Sequence, residues 1–266
     1  MDRSVSCHLE ADIEGVADVT LSVAVAADAE RAEESLAVTL DGRPVPATEI
    51  LDDHGTRLHH LERLGPGRLR VDYAATVTGT APAAPVTPVD LIRYVRPSRY
   101  CESDQLGAVA RAEFAGLHDR DLVDAVSSWV GSRVAYISGS SRPTDGAVTT
   151  LLSRQGVCRD FAHLVIALLR ACDVPARLVS VYAPGLAPMD FHAVAEAHVG
   201  GEWLALDATC LAPRPAMVRI ATGRDAADTA FLTTAGDAVR MGDMEVVAVA
   251  DPTLPIDDIT QAVRLG

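Results

Sequence analysis

Lysine is absent from this chain of 266 residues, and aromatic side chains make up only 4% of it. Without lysine there is no Schiff-base nucleophile, no phosphate-loop ammonium, and no cross-linking of the chain through its own ε-amines. All 23 basic residues are arginine, set against 37 Asp and Glu for a net charge of -14. That excess of negative charge excludes a phosphate-backbone partner or an anionic membrane surface. No uninterrupted apolar run nears the ~18 residues of a membrane span, and the opening Met1–His8 lacks the apolar stretch of a signal peptide. Cysteine is scarce as well. Five are spread irregularly, at 7, 101, 158, 172 and 210, with no Cys-x-x-Cys pair. This is the pattern of reduced thiols in a cytoplasm rather than of a disulfide framework. What is present is 48% hydrophobic and 23% charged, the composition of a globular chain with one large domain or two ordinary ones.

Along the first third, apolar and polar residues alternate. Val5, Cys7, Leu9 and Ala11 interleave with Ser6, His8, Glu10 and Asp12, and Val19 to Val25 and Leu36 to Leu40 repeat the pattern. A period of two buries one face of a strand and wets the other. Turns at Asp41-Gly42 and around Asp53-His54-Gly55 separate these runs, and Leu69, Val71, Tyr73 and Val77 mark a further strand. Several short strands without a clear helix predict a small β-sandwich over residues 1–80. The Pro/Ala/Thr-rich stretch after Gly79 reads as a linker, with residues 81–100 leading into a second domain over 101–250 and a tail over 251–266. In that second domain Asp104, Asp121 and Thr144 or Asp145 are positioned to start helices. The clearest helix carries Phe161, Leu164, Val165, Leu168, Leu169 and Cys172 on one face and ends before Pro175. Strands follow over 177–182, in a hairpin after 190, and near Val246–Val249, so the fold class is α+β.

Chemistry concentrates at the start of that helix. Gln155-Gly156-Val157-Cys158-Arg159-Asp160-Phe161 places Cys158 where unpaired backbone N–H groups and the helix dipole favour an anion. Arg159 assists this and Asp160 partly opposes it. A reactive thiol becomes a nucleophilic catalyst only with a base and a group that orients the base. The hairpin supplies both. Gly200-Gly201 as a two-residue turn sets Val199 opposite Glu202, which carries Asp207 opposite Val194 and His192 opposite Thr209. His192 and Asp207 are then diagonal neighbours on one face, with Cβ atoms about 7–8 Å apart. A slip of one residue in register would move Asp207 to the other face.

These residues, Gly156-Val157-Cys158-Arg159-Asp160-Phe161-Ala162, His192, and Asp207-Ala208-Thr209, resemble the transglutaminase-like family. The order Cys, His, Asp and the separations of 34 and 15 residues match that family's core. The likeness covers roughly residues 90–250, with Tyr94–Tyr100 and Gly223–Asp228 similar to the bacterial branch and an N-terminal β-rich domain in the same place. Phe191-His192-Ala193-Val194 and Asp207-Ala208-Thr209 depart from the family's common Ser-His-Ala-Trp and Asp-Pro-Thr. The resemblance implies a papain-like core, with the nucleophile on a helix and the His/Asp pair on an antiparallel sheet. It further implies a Cys158-His192-Asp207 triad that attacks a peptide, protein or small amide through an acyl-thioester. No cofactor or metal is implied. For the oxyanion, the Cys158 N–H is one donor, with Gln155 as the first choice for the second and Tyr136 or Trp129 as others. Hydrolysis is preferred to amine transfer, and the alternatives are a silent binding or scaffolding module that keeps the fold and an amine-accepting acyltransferase.

The remaining candidates carry bland readings. Cys7 and Cys172 belong in cores, and Cys210 packs or lines the site. His163 lies off the Cys158 face, and His198 is expected to be packed or solvated. His54, His59 and His60 read as a wet strand rather than a metal site. Arg224-Asp225 and Asp228 either contact substrate or cap a helix.

Overall fold

In the computed structural model, which describes residues 1–265, most of the first 77 residues are in strands. They form β1 (Asp2–Ile13), β2 (Ala17–Leu21), β3 (Arg31–Leu40), β4 (Arg43–Pro44), β5 (Thr48–Leu51), β6 (Arg57–Leu64) and β7 (Gly67–Val77). The period-two residues do what their spacing dictates: Val5, Cys7 and Leu9 of β1, and Leu69, Val71 and Tyr73 of β7, are all at most 4% exposed. They meet Val19, Leu21 and Leu61 from a second sheet in one core. A 3₁₀ turn at Asp53–Gly55 joins β5 to β6.

The helical segment opens with α1 (Pro88–Arg93), which lies inside the stretch read as linker. Its signal was short but present: Pro88 at a first helical position and a capping box between Thr87 and Asp90. Then come α2 (Ser103–Phe114), α3 (Asp119–Arg133), β8 (Ala135–Tyr136), α4 (Ala147–Ser153), β9 (Gln155–Gly156) and α5 (Cys158–Ala171). Helix α5 is wrapped by α2, α3 and α4, and Leu164, Ile166, Leu168 and Leu169 are fully buried. It packs on a sheet of order β12-β11-β10-β13, made of β10 (Ala176–Tyr182), β11 (Phe191–Val199), β12 (Glu202–Leu206) and β13 (Val218–Gly223). Leu178, Ala195 and Ala197 face α5. Val179, Val181 and Val194 face a separate small cluster on the other side.

The last strands revise the domain boundary at 250. β14 (Leu232–Gly236) pairs with β2, and β15 (Val239–Asp251) pairs with β1 from Asp2 to Ile13. The sandwich is therefore built from both ends of the described chain, in sheets ordered β15-β1-β7-β3-β4 and β14-β2-β6-β5. Val246 and Ala248 of β15 are 4% and 3% exposed within that core. The stretch after β15 is anchored too. Arg214 binds Asp257, the Ala205 N–H donates to the Val263 carbonyl, and Leu265 is buried. No helix among the described residues is long and apolar enough to cross a membrane.

Candidate active site

Cys158 is the first residue of α5, with Val157 as the cap before it. Its place is set by β9, where Gln155 and Gly156 run parallel to Ala135 and Tyr136 of β8. Asp160 fastens the helix start: its Oδ2 accepts the Val157 N–H at 2.8 Å and its Oδ1 accepts the Ser141 hydroxyl at 2.9 Å. Arg159 donates to the Ser141 hydroxyl oxygen and the Arg142 carbonyl, both at 2.6 Å. The charges of Arg159 and Asp160 thus serve the local scaffold as well as the helix terminus. Cys158 itself is partly exposed.

The hairpin register is the one the Gly-Gly turn requires. Gly200 and Gly201 take φ of 62° and 88°, the left-handed region where side chains are disfavoured. Val199 lies opposite Glu202, and pairing continues to Ala195 opposite Leu206. Just beyond it, His192 Nε2 and Asp207 Oδ2 are 2.9 Å apart, with both residues buried. The other Asp207 oxygen accepts from the Thr209 N–H at 3.0 Å and the Thr209 hydroxyl at 2.6 Å. Thr209 was legible only as part of the Asp207-Ala208-Thr209 motif, yet this i to i+2 bonding is what holds the carboxylate still. Gly131 of α3 lies against the same loop: a Cβ at that position would stand 2.6 Å from the Ala208 carbonyl oxygen.

Burial works against a charged His192 ring, but the hydrogen bond and charge of Asp207, followed by the proximity of Cys158, outweigh it and lift the pKa to about 10. Burial likewise opposes the Asp207 carboxylate, and its bonds to His192 and Thr209 hold its pKa below the usual value. Nδ1 of His192 is buried with no formed hydrogen bond, although Cys158 lies near enough to act on the ring. Loosely formed contacts of this kind are common in resting sites and tighten when a ligand binds. The structure thus brings Cys158, His192 and Asp207 together.

It does not bring Gln155 to them. Strand alternation turns the Gln155 side chain away from the face of Gly156 and Cys158, and it is exposed in a separate groove with Ser140, Arg142 and Thr149. Trp129 is also elsewhere, its indole N–H donating to Glu113 at 2.8 Å and its ring covered by Arg133 and Arg154. Tyr136 is the residue that reaches the helix start. Burial raises its pKa, the charge of Cys158 adds to this, and the Cys158 N–H at its hydroxyl opposes it.

Other candidates settle into structural places. His163 is buried and stacked on Tyr100, and its Nε2 accepts the Ala226 N–H at 3.1 Å. Burial drives its pKa down to about 3. Asp225 accepts from the Tyr100 N–H, and Arg224 pairs with Asp228, so these residues fasten a turn and cap no helix. His198 packs edge-on against Trp203. His59 and His60 lie on β6, where His59 is buried. His54 departs from the wet-strand reading: it sits in the 3₁₀ turn, where Nε2 is 2.7 Å from the Tyr94 hydroxyl and 3.3 Å from Asp90. Cys210 is exposed beside the Asp207 carbonyl, in a cavity of about 500 Å³ lined also by Gly131, Thr209 and Arg214 but by neither Cys158 nor His192, so it packs no core.

Two curated relatives match only segments: Uncharacterized protein ML0607 of Mycobacterium leprae is 33% identical over 89 residues, and Uncharacterized protein Mb2599c of Mycobacterium bovis is 42% identical over 69. Those segments are 33% and 25% of this chain, and they span only 32% and 22% of the relatives' own lengths. A crystal structure from Cytophaga hutchinsonii, described as a "Putative Cysteine Protease", is 34% identical and superposes with a TM-score of 0.87 over 97% of this chain and 94% of that one. Residues 110–208, which contain Cys158, His192 and Asp207, match the transglutaminase-like superfamily. With a helix-borne cysteine, a His/Asp pair on an antiparallel sheet and a relative matched along nearly its whole length, this chain belongs to the transglutaminase-like superfamily.

Proposed function

We propose that the protein is a cysteine hydrolase that cleaves a peptide or amide bond through an acyl-thioester on Cys158. The observation that carries this reading is the His192 ring, fixed to Asp207 through Nε2 at 2.9 Å while Nδ1 stays unengaged near a partly exposed thiol. His192 takes the thiol proton as sulfur attacks the carbonyl carbon, then gives it to the departing amine as the C–N bond breaks. Water, deprotonated by the same ring, splits the thioester, releasing a carboxylic acid and restoring the thiol. As the oxyanion forms it takes over the Cys158 N–H from the Tyr136 oxygen, and the Tyr136 O–H turns to donate to it as well. Tyr136 and Ile137, tied to Gly156 just before Cys158, are each 45% exposed. An opening of this kind admits water to the thioester, which favours hydrolysis over amine transfer. The name borne by the Cytophaga hutchinsonii relative points the same way. Five free thiols suit a reducing compartment such as the cytoplasm.

Alkylation of Cys158 by iodoacetamide, followed against pH, tests the reading. The expected profile stays reactive at neutral pH, and His192→Ala slows alkylation there by about 10-fold or more. If His192→Ala leaves the profile unchanged, the proposed pairing is wrong. A second expectation separates the oxyanion donors. Tyr136→Phe lowers turnover of a peptide amide about 100-fold, whereas Gln155→Ala changes it less than twofold. A third concerns positioning: Gly131→Ala forces a methyl group onto the Ala208 carbonyl, displacing Asp207. Turnover is expected to fall about 10- to 100-fold, with the alkaline limb of its pH profile moved down because His192 loses support from Asp207.

A further inference from the structure

Strand β12 is an edge of the core sheet, and Asp207 follows its last residue, Leu206. Among the described residues no further strand pairs with its outer side, so other groups must satisfy the backbone there. The segment after β15 does so at Ala205. The Ala205 N–H donates to the Val263 carbonyl at 2.8 Å, and the Ala205 carbonyl accepts from Arg214 Nη1 at 3.1 Å. Arg214 is buried, and its other donors turn to the same segment. Nε and Nη2 each meet an oxygen of Asp257 at 2.9 Å, the forked geometry that suits a carboxylate. Nη2 also reaches the Asp258 carbonyl at 2.9 Å. One guanidinium thus ties the end of β12 to an acid 43 residues beyond it.

Packing alone does not hold the loop that carries Asp207. Beside it lies the cavity of about 500 Å³, whose wall includes Asp207, Thr209 and Gly131, with Ile259 and Thr260 from the segment after β15. Chain beside open space can shift where close-packed chain cannot, so its place depends on polar anchors at either end. Thr209 is the anchor after Asp207. Before Asp207, β11 holds the inner side of β12 as far as Leu206, and the two bonds at Ala205 hold the outer side. We propose that Arg214 and Asp257 are positioning residues, which clamp Ala205 and so keep Asp207 where it can orient His192. This rests on the cysteine-hydrolase reading and adds to it a role for the segment after β15. Removing Asp257 leaves the Arg214 guanidinium buried without its counter-charge and releases the far side of the clamp.

Labelling of Cys158 by iodoacetamide at pH 7, read by peptide mapping, tests this without a substrate. A displaced Asp207 supports the His192 charge less, so a smaller share of the thiol is ionised. Asp257→Ala is expected to slow labelling about threefold. Arg214→Lys should do the same, because an ammonium cannot span Ala205 and Asp257 together. In an Asp207→Asn background, adding Asp257→Ala should change the rate by less than about 1.5-fold, since two changes that act through one group do not add. Arg264→Ala breaks the exposed pair with Glu202 in the same segment and should leave the wild-type rate. If Asp257→Ala fails to fold, Asp257→Asn, which keeps an acceptor for Arg214, is read against the same expectations. An unchanged rate, or an equal loss with and without Asp207→Asn, overturns the assignment. His192→Ala keeps the two readings apart. If it slows labelling and the Asp257 variant does not, only the clamp falls. If it leaves labelling unchanged as well, the hydrolase reading falls and takes this inference with it.

Discussion

Asp207→Asn is expected to lower turnover of a peptide amide by about 10³–10⁴-fold, the loss seen when a base keeps its place but not its tautomer. The amide can occupy the same volume and still accept from Thr209, but it offers no charge to His192. Because Asp207 supplies the largest contribution raising the His192 pKa to about 10 against burial, the alkaline limb of the pH profile should move down by more than one unit. Stability should follow. The His192 pKa lies above its value of 6.5 in the unfolded chain, so its contribution is complete below pH 6.5 and lost as pH rises through about 10. That of Asp207 is present above the ordinary carboxylate range and lost as pH falls through its lowered pKa. Thermal melts of both proteins from pH 5 to 10.5 check this: the wild type's advantage should be largest from pH 5 to 6.5 and narrow steadily as pH rises toward 10. An equal gap at every pH would show that Asp207 acts through packing alone.

Glu196→Ala is expected to cost about 3–5 kcal/mol of stability, a fall of about 10 °C in Tm for a chain of this size. Glu196 lies between two arginines, 2.7 Å from Arg177 and 2.6 Å from Arg219, and all three are buried. Arg177 also lies over the Trp203 ring at 4.0 Å and near His54 of the sandwich at 3.4 Å. Removing the carboxylate leaves two guanidinium groups in the interior without their counter-charge. Burial opposes the Glu196 carboxylate, but the arginines outweigh it and hold its pKa at about 2. This is below the ordinary value of 4.5, so the stabilisation is complete above pH 4.5 and disappears as pH falls through about 2. Calorimetry at pH 7 and pH 2.5 provides the check, and the gap between wild type and Glu196→Ala should shrink at the lower pH. Replacing all three residues together, Arg177→Met, Glu196→Leu and Arg219→Met, should recover much of the loss. A triple variant no better than Glu196→Ala would show that the cluster is needed for more than charge balance.

Much of the site was legible because its rules are local. The apolar spacing from Phe161 to Leu169 defines α5, and a cysteine preceding that pattern must lie at its start. Gly200-Gly201 fixes a two-residue turn, and a period of two then decides which face Asp207 shares with His192. The approach of Tyr136 to Cys158 was less legible. Gln155 is near Cys158 in sequence, but alternation in β9 turns it aside, and Tyr136 arrives through the parallel pairing of β8 with β9. Nothing in either dipeptide announces that pairing.

The sequence by itself determined the elements that turns, caps and periodicity specify: the sandwich strands, the helix that begins at Cys158, and the register of the His/Asp hairpin. Without lysine, the side-chain cations available to interior acids could only be arginine or histidine. Tertiary structure alone decided what depends on contacts between distant segments. It returned β14 and β15 to the sandwich, because Val246 and Ala248 complete a core begun by Val5 and Cys7. It enclosed Glu196 between Arg177 and Arg219, and it placed Gly131 against Ala208. The physical reason is that short-range patterns state which face of an element is apolar, while the partner of that face is chosen by the packing of the whole chain.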